Sequence, residues 1–141
     1  MSQPSRAVWA FCLIAKVPFE LKEVKIAKLE MRSEEYKKIN PMAKVPAIED
    51  TDNGLKLAES HTIIRYLCNK YPNHVGDWYP AQDYVKRAKI DEYLDFHHTG
   101  TRKCSFFIFN SIFAKNIGIP TDPQYVPEEA KKVVHRALKQ I

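Results

Sequence analysis

The sequence predicts an α/β domain followed by an all-helical one, and three observations predict it. Over residues 3–70 the apolar pattern switches between helical and strand periods in the order helix, strand, helix, strand, strand, helix. A stretch rich in proline and aromatic residues, YPNHVGDWYP at 71–80, then marks a boundary. Beyond it the pattern is helical only, in a tract over 81–117 and a last helix over 127–141. The expected organisation is a domain over 1–71, a linker over 72–80 and a helical domain over 81–141.

The elements follow in order. Residues 3–16 read as a helix, with Ser2 or Gln3 as cap and Pro4 in the first turn, where a missing N–H costs little. Its expected buried stripe is Ala7, Phe11, Ile14 and Ala15. FELKEVKI at 19–26 alternates apolar and polar and reads as a strand. Residues 33–39 form a short helix capped by Ser33. Two strands flank Asp52-Asn53-Gly54, whose Asn-Gly pair supplies the positive φ of a tight hairpin. The next helix starts at Glu59-Ser60 and carries Ile63, Ile64 and Leu67 as its apolar stripe. In the tract after the linker, the core candidates are Tyr84, Ala88, Ile90, Tyr93, Leu94 and Phe96. Gly100 is a point of bending, and Gly118-Ile119-Pro120 is a stop. Pro127-Glu128-Glu129 opens the last helix, with a proline in the first turn and acids at its positive end.

Composition narrows the class. Hydrophobic content of 45% with 28% charged residues suits a globular core, and no apolar run approaches the roughly 18 residues that span a membrane. Cys12, Cys68 and Cys104 lie far apart, with neither CxxC nor zinc spacing, and read as reduced thiols. The formal net charge is +5, but the lysines are dispersed and no aromatic-basic interleaving accompanies them, so the charge reads as solvated surface, not a nucleic-acid face. His97-His98 is no metal pair, because adjacent helical side chains diverge by about 100°.

Chemistry concentrates in residues 40–67, NPMAKVPAIEDTDNGLKLAESHTIIRYL. Val45-Pro46 enters a strand and is a candidate cis peptide, since proline lowers the cost of cis. A residue before a cis proline can present its N–H and C=O sideways to a ligand. A helix start carries N–H groups without intrahelical acceptors and a partial positive charge, so the start at Ser60 suits a carboxylate. Glu59 beside it suits an ammonium. An anion acceptor and a cation acceptor side by side are what an amino-acid head group needs.

The same stretch resembles glutathione transferases. The pattern NPxxKVPAI, then L.ESHTII.YL, looks like the glutathione-binding half of their thioredoxin-like domain. With SQPSR in front and WYP and KRAKIDEYLDFHH behind, the likeness is to the theta class, in its plant type, and runs over residues 2–116. It implies the glutathione transferase fold: an N-terminal thioredoxin-like domain and a partial all-helical domain that binds the electrophile. The family's first strand precedes SQPSR and further helices follow position 141, so the expectation is a chain shortened at both ends. The implied activity is conjugation of glutathione to small electrophiles, with reduction of organic hydroperoxides beside it. Glutathione is the co-substrate and no metal is needed. A homodimer is implied for the full-length parent, with neither nucleic acid nor membrane as partner. The implied location is cytoplasmic, with peroxisome or nucleus left open by the C-terminus.

Residue roles carry over by motif. Ser2, the first serine of SQPSR, matches the hydroxyl that lowers the thiol pKa. A plain helix cap is the competing role for it, and Ser5 the competing residue. Val45 matches the backbone partner of the cysteinyl unit, Pro46 the cis proline, and Glu59 and Ser60 the γ-glutamyl contacts. Gln3 lies near the same pocket. Arg32 and Lys44 are candidates for the glycyl carboxylate. Met31 stands where some theta enzymes have a histidine and supplies neither charge nor donor. Arg102 matches an arginine facing the electrophile, with a surface arginine as the alternative. Phe106 and Phe107 line the same site or pack as helix core. A competing function is a non-catalytic interaction or scaffolding module of the same fold.

Overall fold

A computed structural model describes residues 2–102 together with 105, 132, 135, 136 and 139. The chain forms two compact units, Met1–Arg87 and Ala88–Ile141.

The first unit opens with α1, Gln3–Ile14, with Ser2 at its N-cap and Pro4 in the first turn. Its end is a Schellman motif: Lys16 N donates to the Leu13 carbonyl at 3.3 Å and Val17 N to that of Cys12 at 3.0 Å. Lys16 takes the left-handed position, φ 53°. The buried face is Val8, Cys12 and Ala15, so Ala15 is buried as expected and Phe11 is half-buried, whereas Ala7 is exposed and Ile14 is 67% exposed. Two adjacent apolar stripes exist on this helix, one residue apart. The helix packs on a later one, and that contact selects the Val8 face.

Residues 19–26 do not form the expected strand. The chain from Val17 to Lys25 has no regular structure, and 3-10 turns follow at Ile26–Lys28 and Glu30–Arg32. A strand exists by its ladder, and among the described residues no strand pairs with this segment. Phe19, Leu21 and Ile26 are exposed along it. The predicted order therefore loses its first strand and keeps its helices.

Helix α2, Glu34–Lys37, is capped as expected, with Ser33 Oγ accepting from Tyr36 N at 3.1 Å. Strands β1, Ala47–Asp50, and β2, Leu55–Ala58, pair antiparallel with Ala47 opposite Ala58 and Asp50 opposite Leu55. Gly54 takes φ 74° in the four-residue turn, and its N–H donates to the Asp50 carbonyl at 2.7 Å. Glu49 and Lys56, directly opposed, form a cross-strand ion pair at 3.6 Å. Helix α3, Ser60–Lys70, buries Ile63 completely, with Leu67 and Cys68 beside it, and packs on α1, β1 and β2.

The stretch expected as a linker is structured. Helix α4, Pro72–Val75, and a 3-10 turn, Gly76–Trp78, bury Val75 and Tyr79. His74 Nδ1 lies 3.1 Å from the Ala15 carbonyl oxygen, and the Trp78 ring meets Phe11 edge-on at 6.2 Å. These contacts tie the segment to the end of α1.

Helix α5, Tyr84–Thr99, starts at Asp83, whose Oδ1 accepts from Lys86 N at 2.9 Å. Of its expected core residues, Ile90, Leu94 and Phe96 are half-buried, whereas Ala88 and Tyr93 are exposed and Tyr84 is 81% exposed. Charges on every side of α5 leave its apolar residues without one dominant face. Gly100 follows the helix, and a β-carbon there would lie 2.1–2.8 Å from the Phe96 ring. The stop at 118–120 and the start at 127–129 lie outside the described residues. Among the described residues no helix is long and apolar enough to cross a membrane.

Candidate functional site

The hairpin brings two of the sequence-derived pairs together. Because Ala47 pairs with Ala58, the residues just before β1 and just after β2 share the open end of the hairpin. Those residues are Val45 and Pro46 on one side and Glu59 and Ser60 on the other. The Val45-Pro46 bond is cis, as expected. Glu59 is the N-cap of α3, and its carbonyl accepts the first intrahelical bond from Ile63 N at 2.9 Å. Its side chain is exposed, whereas Ser60 is buried. Glu59 holds φ 66° and ψ 113°, an unusual backbone for a residue with a β-carbon. The positive end of an 11-residue helix and an exposed carboxylate thus stand next to a strand entry.

The loop leading to Val45 is fixed from behind. The Lys44 carbonyl accepts from the Tyr36 hydroxyl at 2.8 Å and from Asn40 Nδ2 at 2.7 Å. Asn40 is only 3% exposed, and its Oδ1 accepts from Met42 N at 3.1 Å. Burial raises the Tyr36 pKa, which keeps the hydroxyl protonated and able to donate. Sequence reasoning missed both residues as parts of the site. The available signal was Asn40 directly before Pro41, a turn-forming pair.

The closed end of the hairpin is held by a second group that the sequence reading missed. Lys70 Nζ lies 2.5 Å from Asp50 Oδ2 and 2.6 Å from Asp52 Oδ2. The Tyr66 hydroxyl donates to Asp50 Oδ2 and accepts from Asn53 Nδ2 at 3.0 Å. The Asp50 side chain is 8% exposed. Its hydrogen bonds from Lys70 and Tyr66 hold its carboxyl well below the ordinary range, at about 2. The same pairing with Asp50, then Asp52, raises the Lys70 pKa. Tyr66 and Lys70 stand one turn apart on α3, so both reach the same turn.

The remaining candidates are distributed. Ser2 and Gln3 stand half-buried at the start of α1, and the Ser2 hydroxyl makes no capping hydrogen bond. The Lys44 side chain is exposed beside Val45, and Arg32 is exposed at the end of the second 3-10 turn. Met31 is half-buried before it. In the second unit, Arg102 Nη1 lies 2.9 Å from His98 Nδ1, one helical turn earlier. Phe106 and Phe107 lie outside the described residues, as does Cys104. Cys12 and Cys68 are free and buried, and burial raises both thiols, Cys68 to about 11. Neither is a reactive thiolate at neutral pH. Among the described residues no three metal-ligating side chains cluster.

Comparison with known proteins gives one family. The sequence profile of the glutathione S-transferase N-terminal domain matches residues 1–75. The chain is 44% identical over 139 residues to glutathione S-transferase T2 of Arabidopsis thaliana, covering 98% of this chain and 23% of that protein. It is 42% identical over 139 residues to glutathione S-transferase T1 of the same plant, covering 98% of this chain and 55% of that one. The chain thus spans about half or less of the length of these relatives. The crystal structure of human glutathione transferase theta-2, in complex with glutathione and an unknown ligand, superposes with a TM-score of 0.82 at 33% identity, covering 98% of this chain and 55% of that one.

Proposed function

The chain belongs to the glutathione S-transferase family, with theta-class members among its relatives, and from that premise we propose that it binds reduced glutathione at the open end of the hairpin and directs its thiol at a small electrophile. One observation carries the reading: the register of β1 and β2 sets the Val45 backbone beside the start of α3 and the Glu59 carboxylate. The helix start receives the γ-glutamyl carboxylate and Glu59 its ammonium. Val45 pairs with the cysteinyl backbone through its own N–H and C=O. Lys44 and Arg32 face the glycyl carboxylate as exposed cations, and Gln3 borders the same pocket.

Ser2 completes the site as the thiol activator. Its hydroxyl is not committed to capping α1 and stands at that helix's positive end. A hydroxyl donating to sulfur there stabilises the thiolate over the thiol, and the thiol proton leaves to solvent. The thiolate then attacks the electrophilic carbon. A C–S bond forms, and the leaving group departs with the bonding electron pair. Arg102 and Phe106 are the residues for the electrophile side, the first for an anionic leaving group. With an organic hydroperoxide as electrophile, the sulfur takes the terminal oxygen and a second glutathione closes the disulfide, releasing alcohol and water. Detoxification in the cytoplasm by a homodimer is the setting that fits this chemistry.

Two measurements test the reading. Calorimetry with reduced glutathione on the full chain is expected to show Glu59→Ala binding roughly tenfold more weakly, since a charge-assisted contact is worth about 1.5–3 kcal/mol. Unchanged affinity removes Glu59 and the hairpin end from the site. Thiolate absorbance of the bound complex against pH is expected to move toward the free-thiol pKa of about 8.5 in Ser2→Ala and to stay put in Ser5→Ala. The reverse pattern assigns activation to Ser5.

A further inference from the structure

The group at the closed end of the hairpin is larger than a hairpin turn requires. The turn has its own hydrogen bonds: Gly54 N donates to the Asp50 carbonyl, Asp52 N to Asp50 Oδ1 at 3.0 Å, and Leu55 N to Asn53 Oδ1 at 2.9 Å. Tyr66 and Lys70 add four contacts that do not belong to the turn, to Asp50, Asp52 and Asn53. All four join it to the last turns of α3. The other junction between hairpin and helix is covalent, at Glu59, where the chain turns from β2 into α3 with φ 66°. Helix and hairpin are therefore fastened to one another at both ends. Ile63, between the two fastenings, and Leu67, beside the second, are buried, and α3 packs on the sheet and α1. Apolar packing is non-directional and resists separation better than it resists sliding. Hydrogen bonds fix distance and angle together. The polar fastening lies about 9–15 Å along the helix from its first amides, where it can act on the direction in which they point.

We propose that Tyr66 and Lys70 are positioning residues for glutathione: their grip on the closed end of the hairpin aims the start of α3 at the ligand's amino-acid head group. The inference rests on the binding site proposed above, and neither side chain touches the ligand. Lys70 bridges two carboxylates and sets the tilt of the helix. Tyr66 links Asp50 to Asn53 and sets its rotation over the turn.

Calorimetry with reduced glutathione on the full chain tests it. Tyr66→Phe removes one hydroxyl, and Lys70→Met removes the cation. Each is expected to raise Kd by about three- to tenfold, the effect of residues that modulate a site without contacting its ligand. Lys70→Arg, whose planar fork suits carboxylates, is expected to restore the original Kd. A merely structural role lowers the urea midpoint but leaves Kd unchanged in a variant that remains folded, and that result overturns the proposal. Tyr66→Phe keeps both Lys70 ion pairs, so it remains readable should Lys70→Met not fold. Glutathione binding by the unsubstituted chain with an unchanged Kd in Tyr66→Phe overturns the positioning role alone. No glutathione binding by the unsubstituted chain overturns the positioning role together with the site it serves.

Discussion

At the scale of single residues, Glu59 combines two demands that conflict. Its backbone, at φ 66°, suits glycine, whereas the proposed contact to an ammonium needs a carboxylate. A left-handed conformation costs a residue with a β-carbon about 1–2 kcal/mol. Glu59→Gly is therefore expected to be more stable than Glu59→Ala by about that amount, read from urea midpoints, while both lose glutathione affinity alike. Equal midpoints would mean that the local backbone relaxes in the alanine variant. Asn40 makes the opposite case, a buried polar side chain with its donors and acceptors used. Asn40→Ala leaves Met42 N–H without its partner and Lys44 with a single donor, and is expected to cost about 1–3 kcal/mol in the same melts. A loss within error would show that water replaces both bonds. The strand entry at Val45-Pro46 and the helix start at Glu59-Ser60 were legible because turn and periodicity signals announce them. Asn40 and Tyr36 were not, because their common target is a main-chain carbonyl, which carries no sequence signature.

At the scale of elements, the hairpin was read correctly and the strand before it was not, and both outcomes have the same cause. Strand pairing is a property of two segments. Residues 47–50 and 55–58 are joined by a short turn that guarantees a partner, whereas residues 19–26 have alternation alone. The fastening of hairpin to α3 is a second pairwise feature: Tyr66 and Lys70 look like an ordinary polar helix face until Asp50 and Asp52 are set beside them. That fastening predicts a pH dependence. The Asp50 carboxyl, at about 2 when folded, titrates near 3.9 when unfolded, so the folded state favours its charged form. The stabilisation is whole above about pH 4 and is lost as pH falls through about 2. The raised Lys70 pKa puts the mirror loss on the alkaline side, above about 10.4. The gap in Tm between the chain and Asp50→Asn is expected to hold steady from about pH 7 to about pH 5 and to shrink toward pH 2. A gap that keeps its size in acid would remove the ionic contribution. In the turn itself, Gly54 at φ 74° has open space around it, so Gly54→Ala is expected to lose about 1–2 kcal/mol by backbone alone, with the calorimetric Kd for glutathione unchanged.

At the scale of the whole molecule, the fold class was legible from the change of periodicity, and the details of burial were not. The α1 face was read correctly at Ala15 and wrongly at Ala7 and Ile14, because two apolar stripes compete there and only the packing of α3 decides between them. On α5, charges all round leave no stripe to read. The correct α1 face puts Cys12 in the core on one helix, as Cys68 is on another. Their raised thiols make them reporters of global opening. Iodoacetamide is expected to label neither while the chain is folded near neutral pH and both together as urea unfolds it, as mapped by mass spectrometry. Labelling of Cys68 well before Cys12 would show that α3 leaves the core ahead of α1.

The doubly bonded Lys44 carbonyl has one more consequence, for selectivity. A carbonyl oxygen offers two lone pairs, and Tyr36 and Asn40 occupy both. A peptide-like molecule lying along this loop looks for backbone donors and acceptors that are still open. Here the neighbouring acceptor is already saturated. In the proposed site Val45 is therefore the residue left to pair, and the loop would select by withholding one partner while offering another.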